Sequence, residues 1–246
     1  MPKFFVAPEK VSENKIVIDT DDVNHIRRVL RLKENDTIEV CDTTGMDYTA
    51  VIENMTEKSV ICKITDSRKS DTESNLRVTL FQGIPKCSKM DYIIEKTTEL
   101  GIFSIVPVTM SRCVVKLENA KAEQKKQERW QKIAVAAAKQ SGRGIIPEIE
   151  MPLTVDEAIE RMKKSDLAFV PYECETSNRL KPMLLENNEA VEISIMIGPE
   201  GGFDPTEISK IHESGIKTIT LGKRILRTET AGEAVLAMIM YELGDI

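Results

Sequence analysis

The chain has 246 residues, 41% of them hydrophobic and 30% charged, and a net charge of −6. That length suits one α/β domain or two smaller ones, and no apolar run approaches the roughly 20 residues that cross a bilayer. The opening M-P-K-F-F-V-A-P lacks a secretory core, so a cytoplasmic protein is expected. Five cysteines without a C-x-x-C pair point to reduced thiols. With two histidines beside them, a structural metal is not expected. The negative total argues against a generic polyanion binder, but cations cluster locally. Ser111 to Arg143 holds nine Lys or Arg against three Glu, and His25, Arg27, Arg28, Arg31 and Lys33 form a second group.

Residues 1–70 read as a small β-rich domain. Phe4 to Val6, Ile16 to Ile18, Thr37 to Cys41, Tyr48 to Ile52 and Val60 to Ile64 are short β-prone runs. Thr43-Thr44-Gly45 supplies a turn. One helix is expected from Asp21 to Leu30, capped by Thr20 or Asp21, with Val23, Ile26, Val29 and Leu30 as its buried stripe. His25, Arg28 and Arg31 then lie off that stripe. Asp66 to Asn75 has no apolar residue and reads as a linker.

From residue 71 to 246 strands and helices alternate, which predicts an α/β domain with a mostly parallel sheet. Leu76 to Phe81 is a strand that leads through Gln82-Gly83-Ile84-Pro85-Lys86 to a helix over Lys89 to Leu100. Met90, Ile93, Ile94 and Thr97 share the apolar face of that helix and Gly101 stops it, leaving Lys89 and Lys96 free. A strand over Ile105 to Val108 comes next, with Arg112 just beyond. A long helix over Ala120 to Gln140 ends at Gly142, before Arg143. Further on come a helix over Val155 to Lys163, a strand over Leu167 to Val170 ending in Pro171-Tyr172-Glu173, and a strand over Ile193 to Ile197. Asp204-Pro205-Thr206-Glu207 is a helix start with Asp at the cap and Glu three residues on. The last helix is expected from Thr230, capped by a Thr230–Glu233 box. It is apolar enough to suggest two buried faces, one of them on a second subunit.

Two glycine-bearing loops stand out: I-G-P-E-G-G-F-D-P up to Pro205, and L-G-K-R-I-L-R-T-E-T-A from Leu221 to Ala231. Each follows a strand-like run and precedes a helix, the place where ligands sit in open α/β sheets. Neither matches G-x-G-x-x-G or the phosphate-cradling G-x-x-x-x-G-K-[ST]. A pocket of backbone groups with Glu200 and Glu229 nearby suits an uncharged or cationic cofactor better than a polyphosphate.

These loops strongly resemble those of the ribosomal RNA uracil-N3 methyltransferases of the SPOUT class, the small-subunit (16S) enzymes above all. The resemblance extends to H-I-R-R-V-L-R from His25, K-M-D-Y-I-I-E-K-T-T-E-L-G from Lys89 and Q-S-G-R from Gln140. It implies a PUA-like β-barrel RNA-binding domain, then a SPOUT domain with a C-terminal deep trefoil knot. It also implies S-adenosyl-L-methionine as cofactor, a homodimer, and ribosomal RNA as substrate, in the assembled small subunit. Gly198, Pro199, Glu200, Gly201 and Gly202, with Leu221, Gly222, Ile225, Leu226, Thr228, Thr230 and Ala231, become candidates to hold the cofactor. Pro171, Tyr172 and Glu173 are candidates for a third loop.

Uracil N3 must lose a proton before it is a good nucleophile, so a base or an anion-stabilising cation is required. Glu229 and Arg227 are the first candidates, with mutual pairing or helix capping as their structural alternative. Lys86, Lys89, Arg112 and Arg143 join His25, Arg28 and Arg31 as candidate RNA contacts. Ribose 2′-O or guanine-N1 methylation, or a ribosome-assembly factor without catalysis, are the alternatives.

Overall fold

The computed structural model describes residues 3–115 and 119–246, so Lys116 and Glu118 of the basic cluster lie outside the described residues. The chain divides into two compact units. One is the segment ending at Glu73 together with Ala138–Ile146; the other is Ser74–Ala137 with Pro147–Ile246. The sequence reading has one cut near residue 70, whereas the first unit draws on two stretches of chain.

In the first unit β1 (Lys3–Phe5), β2 (Lys15–Ile18), β3 (Thr37–Cys41), β4 (Met46–Met55) and β5 (Val60–Lys69) form a sheet in the order β1-β3-β4-β5-β2. β1 runs parallel to β3 and the other pairs are antiparallel, so the sheet is mixed. Its inward face follows a period of two: Ile16 and Ile18, Ile38 and Val40, Ala50 and Ile52, and Val60 and Cys62 are all buried. Between β3 and β4 Thr43 and Gly45 take positive φ values of 65° and 92°, which builds the expected turn. The linker expected at Asp66–Asn75 is corrected in its first half. β5 continues to Lys69 and pairs with Met46 to Thr49 of β4. Strand pairing is made by backbone, and the side chains of Asp66, Ser67, Arg68 and Lys69 are exposed, so no apolar residue is required there.

The helix of this unit starts as α1 (Asp22–Asn24) and widens into a π-turn over His25–Val29. Val23 and Ile26 are buried as expected, but Val29 and Leu30 are not. A π-turn holds more residues per turn than an α-turn, so the helical spacing that includes Val23 and Ile26 overshoots Val29.

In the second unit β6 (Arg77–Gly83), β7 (Ser104–Thr109), β8 (Glu148–Ile149), β10 (Leu167–Pro171), β11 (Glu192–Ile197) and β12 (Lys217–Ile219) lie in the order β12-β10-β11-β6-β7-β8. β9 (Leu153–Thr154) also pairs with β7, and every pairing is parallel. From β6 the chain first moves to one side, through β7 and β8, and then to the other, through β10, β11 and β12. β6 is therefore the topological switch point, outside whose carboxyl end open α/β sheets place ligands.

Among the described residues six further helices follow the strands: α2 (Lys89–Glu99), α3 (Ala120–Ser141), α4 (Val155–Met162), α5 (Leu180–Glu186), α6 (Pro205–Glu213) and α7 (Thr228–Leu243). α2 buries Met90, Ile93, Ile94 and Thr97, and Gly101 ends it with φ 89°. At the start of α6, Asp204 Oδ1 accepts the Thr206 N–H at 3.0 Å and Glu207 Oε2 accepts the Asp204 N–H at 2.8 Å. α5 has no counterpart in the sequence reading, because Pro182 sits in its first turn; Leu180, Met183 and Leu184 still fall at helical spacing and are buried. α7 begins at Thr228, two residues earlier than expected, and the Thr230–Glu233 box does not form. Glu233 instead accepts the Tyr92 hydroxyl of α2 at 3.2 Å. α7 buries Val235, Leu236, Ile239 and Met240, which stabilises its docking by about 2 kcal/mol per side chain.

Candidate active site

Four adjacent strands, β12, β10, β11 and β6, send their carboxyl-end loops to one edge of the sheet. Both signature loops are among them. The first, after β11, is compact and braced on all sides. Gly202 takes φ 67°, and a Cβ there would lie 2.7 Å from Glu173 Oε1. A Cβ at Gly198 would lie 3.2 Å from the Phe203 ring. That ring meets Tyr172 edge-on at 6.4 Å, so Pro171-Tyr172-Glu173 stands beside this loop. From below, Gly83 at the end of β6 approaches so closely that a Cβ would sit 2.7 Å from the Pro199 nitrogen.

The start of α7 is bonded into this group. Thr228 Oγ1 donates to Gly198 O at 2.6 Å and accepts from Gln82 Nε2 at 2.9 Å. Gln82 Nε2 also donates to Gly83 O at 3.0 Å. All of these atoms are buried, where each hydrogen bond is costly to lose. Thr228 thus joins the ends of β6 and β11 to α7. Gln82 Oε1 is buried without a hydrogen-bond donor.

Charge ties the two loops a second time. Lys89 Nζ lies 3.2 Å from Glu200 Oε1 in the first loop and 3.1 Å from Glu229 Oε2 in the second. Glu200 also accepts the Lys86 backbone N–H at 3.1 Å. Burial alone pushes the Glu200 carboxyl up, but its own and the Lys86 N–H groups and the Lys89 ammonium outweigh it and leave the pKa below its ordinary value. Glu229 shows the same balance: burial is outweighed by its own backbone N–H, Lys89 and Arg227. The Lys89 ammonium is held above its ordinary pKa, first by Glu229 and then by Glu200. Lys89 is therefore not free, as the sequence suggested, but a bridge; Lys96 likewise pairs with Glu95 and Glu99.

The second loop is open. Gly222 takes φ 103° and a Cβ there would meet nothing within 4 Å. Leu221 and Leu226 pack on the core at its two ends, while Lys223, Arg224 and Ile225 between them are exposed, Ile225 at 86%. Arg227 is exposed at the N-cap of α7 and makes no ion pair among the described residues. Thr230 is exposed and Ala231 buried.

The loop after β10 is latched by Glu175. Its carboxylate accepts the N–H groups of Thr176, Ser177 and Asn178 at 2.8, 2.7 and 3.2 Å, and the Thr218 hydroxyl of β12 at 2.9 Å. The Ser177 N–H and the Thr218 hydroxyl do most to pull its pKa down to about 2.

Of the candidate RNA contacts, His25, Arg28 and Arg31 are exposed in the first unit and Lys86 in the second. Arg112 donates from Nη1 to Gly201 O at 3.0 Å, bracing the first loop. Arg143 is a correction. The residue is 4% exposed and its guanidinium bonds Glu73 at 2.7 Å, so it is an internal tie of the first unit and not a hand for phosphate. The sequence reading missed Gln82, Phe203 and Glu175 as site-building residues. For Gln82 a signal existed: one amide at the end of the otherwise apolar V-T-L-F run.

The parallel sheet with glycine loops at its switch point is that of an open α/β protein. The RNA methyltransferase domain family matches residues 72–240, and the RNA methyltransferase PUA domain family matches 18–65. The chain belongs to the family of the ribosomal RNA small subunit methyltransferases E. The Bacillus subtilis protein of that name is 34% identical over 230 residues, covering 92% of this chain and 89% of that one. A crystal structure of the Neisseria gonorrhoeae enzyme bound to S-adenosyl methionine is 32% identical, with a TM-score of 0.89 over 100% of this chain and 99% of that one. A Legionella pneumophila methyltransferase, in complex with the same cofactor, is 27% identical with a TM-score of 0.84, over 100% of this chain and 99% of that one. Among the described residues no helix is long and apolar enough to cross a membrane.

Proposed function

We propose that this chain transfers the methyl group of S-adenosylmethionine to N3 of a uridine in small-subunit (16S) ribosomal RNA. The observation that carries the reading is the Thr228–Gly198–Gln82 junction, which gathers both signature loops at the switch point. The residues present fit the cofactor. Glu200 and Glu229 outnumber the Lys89 ammonium between them and leave a net negative charge for its cationic centres, and the close-packed Gly198 and Gly202, where a Cβ would strike Phe203 and Glu173, present bare backbone to an uncharged adenine. The cofactor supplies a methyl group on a sulfonium, a leaving group that needs neither metal nor covalent enzyme intermediate. Gly198–Gly202, Leu221, Gly222, Ile225, Leu226, Thr228, Thr230 and Ala231 hold it, with Pro171–Glu173 as the third wall.

The chain's own contribution is alignment and charge. Rigid loops hold the reactants in line, a gain that is mainly entropic. Arg227, unpaired at the N-terminal end of α7, adds its charge to that of the helix end and stabilises the anion that develops on the uracil as N3 loses its proton. Glu229, held ionised by Lys89, is a weak proton acceptor. We assign it to loop anchoring and the proton to bulk water.

We further propose that the chain end around Thr228 is threaded as a deep trefoil knot and that the first unit's mixed sheet closes as a PUA-like barrel. For the knot, the support is that α7, entered from the edge strand β12, starts hydrogen-bonded between β6 and β11. The working form is a homodimer in the cytoplasm: α7 leaves the large side chains of Met238 and Tyr241 exposed. Sedimentation equilibrium showing a monomer at micromolar concentration would overturn the dimer. The reaction is tested by incubating the protein with labelled S-adenosylmethionine and small subunits lacking the modification, then separating nucleosides by mass. Label in 3-methyluridine is the expected result. Label in a ribose-methylated nucleoside or 1-methylguanosine would keep the class and overturn the nucleophile.

A further inference from the structure

Between His25 and Lys33 the first unit carries Arg27, Arg28, Arg31 and Lys33 and no carboxylate. None of the four makes an ion pair among the described residues, and the nearby acids Asp22 and Asp36 are engaged elsewhere. Asp22 takes Lys139 Nζ at 2.8 Å and Asp36 accepts the Lys33 backbone N–H at 2.7 Å. Asp21 and Glu34 flank the segment and are exposed.

Within this cationic stretch the backbone is unusual twice. The Leu30 N–H donates to His25 O at 2.9 Å, the wide spacing of a π-turn, and beyond it the Leu32 N–H reaches back six residues to Ile26 O at 3.0 Å. Arg31 then takes φ 54°, a left-handed conformation that costs an arginine about 1–2 kcal/mol. Together these turn Val29 and Leu30 outward, 65% and 38% exposed, among the four cations. π-turns and left-handed non-glycine residues concentrate at functional positions.

A polyanion is the partner this surface complements, and the apolar step decides its form. Single-stranded nucleic acid is held mainly by stacking on aromatic rings. The first unit has few to offer: Phe4 and Phe5 are buried, Tyr48 is half-buried, and the exposed ring of His25 leans edge-on against Phe4 at 6.4 Å. An aliphatic step between arginines instead suits the wide, shallow minor groove of an A-form helix, where sugars and base edges are accessible and phosphates lie to either side. We propose that Val29 and Leu30 dock in the minor groove of a double-helical RNA segment, with Arg27, Arg28, Arg31 and Lys33 on its phosphates. That the nucleic acid is RNA rests on the methyltransferase reading above.

The test uses the full chain and measures fluorescence anisotropy with a blunt RNA duplex, the same sequence as DNA duplex, and one RNA strand alone. The duplex RNA is expected to bind about tenfold more tightly than either alternative. Val29→Ser with Leu30→Ser should lose roughly tenfold in duplex affinity without changing its salt dependence. Arg28→Gln with Arg31→Gln should lower the slope of log K against log salt by about 2. Cofactor binding, followed by calorimetry, should stay unchanged in both variants. Equal binding of the single strand, or an unaltered serine variant, overturns the inference while methyl transfer continues. Loss of all RNA binding in the parent protein, with no methyl transfer, overturns the reading beneath it as well.

Discussion

The two signature loops share glycine and position but are built in opposite ways. Gly198–Phe203 is wedged among Gly83, Glu173, Arg112 and Phe203 itself, so its shape is fixed before any ligand arrives. Gly222–Leu226 is anchored at its ends by leucines and open between them. The contrast teaches that glycine serves close approach in one loop and backbone freedom in the other. In the proposed function the first loop is the preformed wall of the cofactor site, and the second is expected to order on binding. Thr228 and Lys89 join them.

The comparison can be broken at the wall first. Gly83→Ala places a Cβ 2.7 Å from the Pro199 backbone nitrogen and 2.8 Å from Met110 Sδ. It should cost about 3 kcal/mol and abolish cofactor binding, measured by denaturant titration and calorimetry. Thr228→Val keeps the shape but leaves Gly198 O and Gln82 Nε2 buried without this partner. It should cost about 2 kcal/mol and weaken cofactor binding more than RNA binding. Lys89→Met removes the bridge, and Glu200 and Glu229 then repel. A KM increase for S-adenosylmethionine of about tenfold, with partial rescue in Lys89→Arg, is the outcome expected of a tether; a KM change confined to RNA would return Lys89 to the role first read from sequence. Gly222→Ala meets no atoms, so only its positive φ opposes it, at about 1 kcal/mol.

Glu175 sharpens the comparison through pH. Its folded pKa of about 2 lies below the ordinary carboxyl value of roughly 4.3. The latch therefore stabilises the fold above that ordinary value and is lost as pH falls toward 2. The melting temperature of Glu175→Gln should lie below that of the parent at pH 7, and the gap should narrow from about pH 4.5 downward. A gap independent of pH would show that the carboxylate is not the latch.

Much of this architecture is legible in the chain because its signals are local. The Asp204-Pro205 start of α6, with Glu207 three residues on from the cap, needs only near neighbours, and the glycine stops at Gly101 and Gly142 appear as positive φ values. What stayed hidden depends on distant partners. The Thr230–Glu233 pattern is a valid cap signal, but Tyr92 of α2 takes Glu233 and Thr228 is drawn to Gly198, so α7 starts earlier. Lys89 and Arg143 look like surface cations until Glu200, Glu229 and Glu73 are brought beside them across more than 60 residues of chain. Val29 was misplaced because a π-turn leaves no period in the sequence.

The most direct test of the account is amide hydrogen exchange on the full chain with and without S-adenosylmethionine. The prediction is that Leu221–Arg227 amides, fast in the free protein, become strongly protected, while Gly198–Phe203 amides are slow in both states. Protection appearing in neither loop, or first-loop amides as fast as the second before the cofactor is added, would contradict the preformed wall and the ordering loop alike.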